Sequence, residues 1–260
     1  MIKTYTLFSN KVLFFLVILI TGYYSDVFSQ ASKNPALKGI IDIPTAGSLQ
    51  RGSFNVGLRM YPQGGVLCNM SAGLINRVMV TVFYGGENCI GDGEINWNPQ
   101  IGFEMRIRVI EESFVLPALS VGFISQGYGG YNNDLSRYTY KSKGFYTVIS
   151  RNYNLLGDLG LHFGANKSLE EDDRDKDINL FTGFDKALPG GIVILGEYDF
   201  GFNDNGDLGL GSGNGYLNAG LKWSITGGFS VTFIFRNLAK NKKLTSGIGR
   251  EIAINYVRTF

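Results

Sequence analysis

The chain has a single histidine, six prolines and two cysteines among its 260 residues. Behind its first twenty residues no apolar run approaches the length of about 20 that a membrane-spanning helix needs. Each scarcity excludes something. With His162 alone, and with no Gly-x-Ser-x-Gly stretch, the residues for activating a serine nucleophile are nearly missing, so an outer-membrane hydrolase or acyltransferase is not expected. Two cysteines are too few for a disulfide framework. They leave room for one bridge, which needs the loop carrying Cys89 to fold back on Cys68. The 24 basic and 22 acidic residues are interspersed and nearly cancel, so no electrostatic footprint for nucleic acid is present.

What is present begins with a targeting pattern. Lys3 and Lys11 precede the apolar run Val12–Ile20, and Val27 and Ser29 occupy the −3 and −1 places of a signal-peptidase site. Residues 1–29 therefore read as a cleaved signal peptide, residues 30–52 as a periplasmic lead-in, and residues 53–260 as the folded domain. Any insertion of that domain into a membrane must be by strands.

Glycine and aromatics are abundant, with 36 Gly, 19 Phe and 14 Tyr, as suits many short strands. From Ser53 onward, segments of about ten residues alternate between apolar and polar or small side chains. In residues 100–109, Ile101, Phe103, Met105, Ile107 and Val109 share one face, while Gly102, Glu104, Arg106 and Arg108 share the other. One face suits lipid and the other does not. The same split recurs in 158–166, 216–223 and 229–236. Marking every such run predicts strands at 53–61, 65–75, 77–85, 99–109, 117–126, 143–153, 158–167, 177–186, 191–201, 215–224, 228–237 and 249–260. The expectation is an all-β fold, a closed antiparallel transmembrane β-barrel of about 12 strands.

The connections support closure in a membrane rather than a soluble sandwich. Short turns at 75–77, 154–157, 188–190 and 225–227 alternate with long polar loops at 86–98, 127–142, 168–176, 202–214 and 239–248. Short periplasmic turns and long external loops characterise outer-membrane barrels, and both termini are then periplasmic. Aromatics such as Tyr84, Trp223 and Tyr256 fall where interfacial girdles are expected. At the C-terminus, Ile252, Ile254, Tyr256 and Phe260 repeat on one face, which resembles the terminal signal read by the outer-membrane assembly machinery. Arg258 departs from that pattern.

By parity the lumen wall carries Arg59, Glu104, Arg106, Arg108, His162, Asp185, Glu197, Asp199, Lys222, Arg236 and Glu251. Charges of both signs in a lumen of this size should pair across strands as a hydrated lattice. The alternative is a selectivity wall for a polar solute, with Arg59, Arg106 and Arg108 attracting anions. No cofactor or metal is expected. The acidic run Glu170, Glu171, Asp172, Asp173, Asp175 and Asp177 is interrupted by Arg174 and Lys176. The series Asn203, Asn205, Asp207 lacks the first Asp and final Glu of a calcium loop. Both read as solvated external loops. Tyr128, Tyr131, Tyr138 and Tyr140 could stack on sugar rings or order their own loop.

The stretch Gly39-Ile40-Ile41-Asp42-Ile43-Pro44-Thr45-Ala46-Gly47, followed by Arg51-Gly52 and the first strand, resembles the start of YjbH-type outer-membrane barrel proteins. That resemblance implies a link to exopolysaccharide or capsule export, with polysaccharide or export-complex proteins as partners beside outer-membrane lipid. From the residues alone, Pro44 and Gly47 should bend an extended segment that either tucks into the lumen mouth or serves as a plain linker. A narrow channel for a small polar solute and a structural envelope protein are the competing expectations.

Overall fold

Period-two alternation becomes alternating burial. In the strand Gly102–Ile110 the side chains of Glu104 and Arg106 are buried, while Phe103, Met105 and Ile107 are exposed. The polar face is thus interior and the apolar face exterior, the reverse of a soluble protein and the arrangement a bilayer demands. The structure is a computed structural model that describes residues 37–225, 227–243 and 247–260. The expected signal peptide lies outside the described residues.

The strands are β1 Ser53–Tyr61, β2 Gly65–Ile75, β3 Val78–Glu87, β4 Asn96–Trp97, β5 Gly102–Ile110, β6 Ala118–Ile124, β7 Tyr128–Asn132, β8 Arg137–Tyr140, β9 Gly144–Asn154, β10 Asp158–Lys167, β11 Asn179–Leu188, β12 Ile192–Asp199, β13 Tyr216–Ser224, β14 Phe229–Arg236 and β15 Gly249–Thr259. All except β4, β7 and β8 form the wall, each antiparallel to its neighbours, and β1 pairs with β15 to close it. The result is a closed 12-stranded antiparallel barrel in which no wall strand leaves its backbone groups unpaired along an edge. Wall strands begin and end within three residues of the expected bounds.

The exterior band is apolar, with Val82, Ile194, Leu221 and Phe233 exposed on it. Near its margin Tyr84 stacks on Trp97 with ring centroids 5.5 Å apart. At the opposite margin Phe54 packs against both Tyr256 and Phe260. Tight turns close that end. Gly228 has φ +85°, and a Cβ there would lie 1.9 Å from the carbonyl oxygen of Val257, so only glycine fits.

Three features lay open at the level of sequence. Cys68 and Cys89 are both free, Cys68 standing on the exposed outer face. The loop 127–142 is not irregular: β7 and β8 form their own two-stranded hairpin, with Asn132 accepting from the amide of Leu135 at its turn. Finally, of the described part of the lead-in, residues 37–52, the stretch Leu37–Leu49 lies inside the barrel, with Ile43, Thr45 and Ala46 each 1% exposed.

Candidate functional site

The interior wall is polar because every second residue of each strand points there, and its charges are paired. Arg59 donates from Nε to Glu251 at 2.6 Å, and Arg236 lies 2.8 Å from the other oxygen of Glu251. Arg106 donates to Glu104 at 2.5 Å. Glu197 accepts from Asn218 at 2.7 Å, and Lys143 pairs with Asp199. Lys222 stands half-buried on the same face, within electrostatic reach of Asp185. Of the expected lumen set, Arg59, Glu104, Arg106, His162, Glu197, Arg236 and Glu251 are buried, and Arg108, Asp185, Asp199 and Lys222 are half-buried.

These groups face a plug rather than open water. Residues 37–50 enter from the end with the short turns, pressing so close to β2 that a Cβ on Gly73 would lie 2.1 Å from the carbonyl oxygen of Gln50. They reverse direction in a tight turn between Gly39 and Pro44, where Ile40 donates to the carbonyl of Ile43 at 3.1 Å. Thr45 ties the turn's two arms together by donating to the carbonyl of Leu37. Pro44 and Gly47 thus sit at bends, as their chemistry suggests.

The wall grips the plug chiefly through its backbone. On one side the buried carboxylate of Glu197 accepts from three successive amides, Ile41 at 2.9 Å, Asp42 at 2.9 Å and Ile43 at 3.1 Å. On the other, Arg106 donates to the carbonyls of Lys38 at 2.5 Å, Thr45 at 3.1 Å and Gly47 at 2.6 Å. Arg108 and Ser120 both donate to the carbonyl of Ala46, at 2.9 and 3.1 Å. Arg106 and Arg108 therefore face inward as expected, yet they serve as plug anchors and not as free anion-attracting wall residues. The plug's own side chains add further contacts. Asp42 accepts from Arg59 at 2.9 Å and Arg236 at 2.7 Å, and Lys38 donates to Ser71 at 2.8 Å.

Apolar packing completes the seat. Ile40, Ile43 and Ala46 join Leu67, Phe181 and Leu195 in one buried cluster. The wall makes room with glycine: an added Cβ on Gly183 would come within 2.7 Å of Ile43 Cδ1, and one on Gly220 within 3.4 Å of Ile41 Cδ1. No sequence periodicity marks those two glycines as plug contacts.

His162 sits in a polar series of its own. Ser150 Oγ lies 2.7 Å from its Nδ1, and Asp185 Oδ1 lies 2.8 Å from its Nε2. Serine, histidine and aspartate in series can serve nucleophilic catalysis where a substrate carbonyl reaches the hydroxyl. Here the amide of Ala46 donates to Ser150 Oγ at 2.8 Å, so the series anchors the plug.

The opposite end is covered by interlocked loops. Arg137 is fully buried and donates to both Asp173 and Asp204 at 2.5 Å. Lys141 donates to Asp173 at 2.7 Å and to the carbonyl of Asn203 at 2.7 Å. Asp175 accepts from the amides of Asn205 and Gly206, and Asp204 accepts from Tyr216. The acidic run is only partly a solvated face: Asp172 and Asp177 are exposed, but Asp173 and Asp175 are buried partners of cations and amides from neighbouring loops. Glu170 accepts from the amides of Tyr138 and Ser142, each at 3.2 Å. Burial pushes its carboxyl up to about 7. The tyrosines of the hairpin face inward too, Tyr128 under Arg59 at 4.7 Å and Tyr140 under Arg236 at 4.3 Å. Tyr131 meets Tyr138 edge-on within the hairpin.

Between plug and loops little space is left. The larger cavity, lined by Asp42, Tyr128, Tyr140 and Lys143 among others, offers about 20 Å³ to the centre of a water molecule, room for about one ordered water. A second, beside Arg59, Arg236 and Glu251, offers about 10 Å³. Among the described residues, the plug fills the lumen from one end and the interlocked loops cover it at the other.

No family model matches the chain, and no curated protein matches it. Among solved structures, the KdgM porin aligns over 78% of this chain and 98% of its own, at 12% identity and a TM-score of 0.51. The NanC porin aligns over 80% and 99%, at 8% identity and a TM-score of 0.44. Outer membrane phospholipase A from Escherichia coli aligns over 82% and 97%, at 10% identity and a TM-score of 0.40. The likeness to the KdgM porin is one of fold: the chain has the closed barrel of outer-membrane porins.

Proposed function

We propose that this protein is a narrow outer-membrane channel for a small polar solute, held closed at rest by its own segment 37–50. The observation that carries the reading is the way this plug is held. Its main chain is gripped by wall side chains, Glu197 on one side and Arg106 and Arg108 on the other. Each of these contacts can be exchanged for water or a polar solute, so release costs little beyond exposing the apolar cluster formed by Ile40, Ile43 and Ala46. A barrel with a purely structural role has no need of such a seat, since a lumen filled by the wall's own side chains would be simpler and more stable.

The test is conductance of the refolded chain in a planar bilayer, compared with a variant carrying Arg106→Gln and Glu197→Gln, which loosens the plug on both sides. The full chain is expected to be nearly silent, and the variant to show stable steps. Silence from membranes that hold heat-modifiable, folded variant would leave the structural role as the better reading.

A role in exopolysaccharide export is the second reading. It is favoured by the place of the Ile43-Pro44-Thr45-Ala46-Gly47 stretch, which resembles the YjbH-type start and forms the core of the plug. A segment reaching the lumen from the periplasmic side is where an export partner could pull it open. Staining for surface polysaccharide in a deletion strain tests this role.

A further inference from the structure

We infer that Arg59 and Arg236 form a binding site for a carboxylate-bearing solute, in which Asp42 of the plug is the resident stand-in. The inference rests on the channel reading and names the ligand class that would release the plug.

Charge balance comes first. Two guanidinium groups carry two positive charges, and Glu251 lies against both, neutralising one. The other is matched by Asp42, whose single oxygen Oδ1 takes both arginines, at 2.9 and 2.7 Å. Glu197 and Lys242 also lie within electrostatic reach of Arg236 and offset one another, so when the plug withdraws one positive charge is left without a carboxylate partner, which a solute monoanion supplies.

Asp42 is also an incomplete partner. Arg59 Nη2 and Arg236 Nη1 are buried and have no hydrogen-bond acceptor among the described residues, though the two residues are only 7% and 2% exposed. Both arginines line the smaller cavity, beneath Tyr128. Asp42, tethered by its backbone to Glu197, meets both arginines through Oδ1 alone and does not meet those two donors with its second oxygen. A free carboxylate can, since its two oxygens match the guanidinium fork. The site favours carboxylate over a neutral polar solute because a buried donor gains most from a charged acceptor.

Opening by competition then follows from mass action: a ligand shifts the plug only by its differential affinity for the plug-free state. The probe is sodium gluconate, with glucose and sodium chloride as controls. The readout is the rate at which a membrane-impermeant thiol reagent modifies Ala46→Cys in a chain whose Cys68 and Cys89 are changed to serine. Ala46 is buried by the plug's docking, so labelling reports its release. Gluconate should raise the rate by about tenfold or more at saturation. Glucose should not. Adding Asp42→Asn should raise the rate without gluconate.

If Asp42→Asn accelerates labelling but gluconate never does, the carboxylate site is overturned while the gated channel stands. If glucose or chloride works as well as gluconate, selectivity for carboxylate is overturned. If neither gluconate nor the substitution changes the rate in folded, heat-modifiable protein, the inference falls together with the channel reading.

Discussion

Replacing Glu197 by glutamine isolates the strongest single grip on the plug. In the parent, its carboxylate accepts from the amides of Ile41, Asp42 and Ile43 and from Asn218 Nδ2. Hydrogen bonds to a charged group contribute about 1.5–3 kcal/mol each and neutral ones about 0.5–1.5 kcal/mol, so turning three amide bonds neutral costs about 3 kcal/mol. Glutamine must also direct its NH₂ either at those amides or at Asn218 Nδ2. Asn218 cannot flip to receive it, because its Oδ1 already accepts from the amide of Asn237 at 2.8 Å. Relief from burying a charge offsets part of the loss. The net weakening of plug docking is about 2–3 kcal/mol, which multiplies the open population by about 30 to 150. Modification of the Ala46→Cys reporter measures that population directly, with Glu171→Gln on an external loop as the control. A folded Glu197→Gln protein that labels within about twofold of its parent would refute the claim that this carboxylate holds the plug.

Other outcomes follow from the same geometry. Gly183→Ala should weaken docking by about 1–3 kcal/mol through overpacking against Ile43 and the carbonyl of Gly196, read as faster labelling of the reporter. Arg137→Ala leaves Asp204 buried without a cation and Asp173 with Lys141 alone, a loss of about 3–5 kcal/mol. Limited proteolysis should then cut the loop 168–178, and an uncut loop in the folded variant contradicts the assigned role. Because burial raises the Glu170 carboxyl in the folded protein to about 7, its contribution to loop stability is full below its ordinary range and fades as pH rises through about 7. Amides of Tyr138 and Ser142 should thus lose exchange protection between pH 5.5 and 8, after correction for intrinsic rates, and Glu170→Gln should flatten that dependence. Phe260→Ala should lower the yield of heat-modifiable protein in cells more than on refolding in detergent, if the terminal stripe is read by the assembly machinery.

Strand number, facing and approximate bounds were all legible in the amino-acid sequence, because a strand's period of two is a local property and each face meets a different medium. Arg106 could be placed indoors from its neighbours Met105 and Ile107 alone. Tertiary structure alone decided what the indoor residues do. Glu197 meets the amide of Ile41 across 156 positions of chain, and Arg106 meets the carbonyl of Gly47 across 59. Contacts of that kind run through backbone groups, which every residue carries and no side-chain pattern announces. The same holds for the external loops, where Asp173 read as solvent-facing until Arg137 and Lys141 arrived from another loop to bury it. Side-chain alternation determined a polar lumen; whether water, solute or the chain itself would fill it was left to the path of residues 37–50, which follow no period and acquire their position only from the wall that receives them.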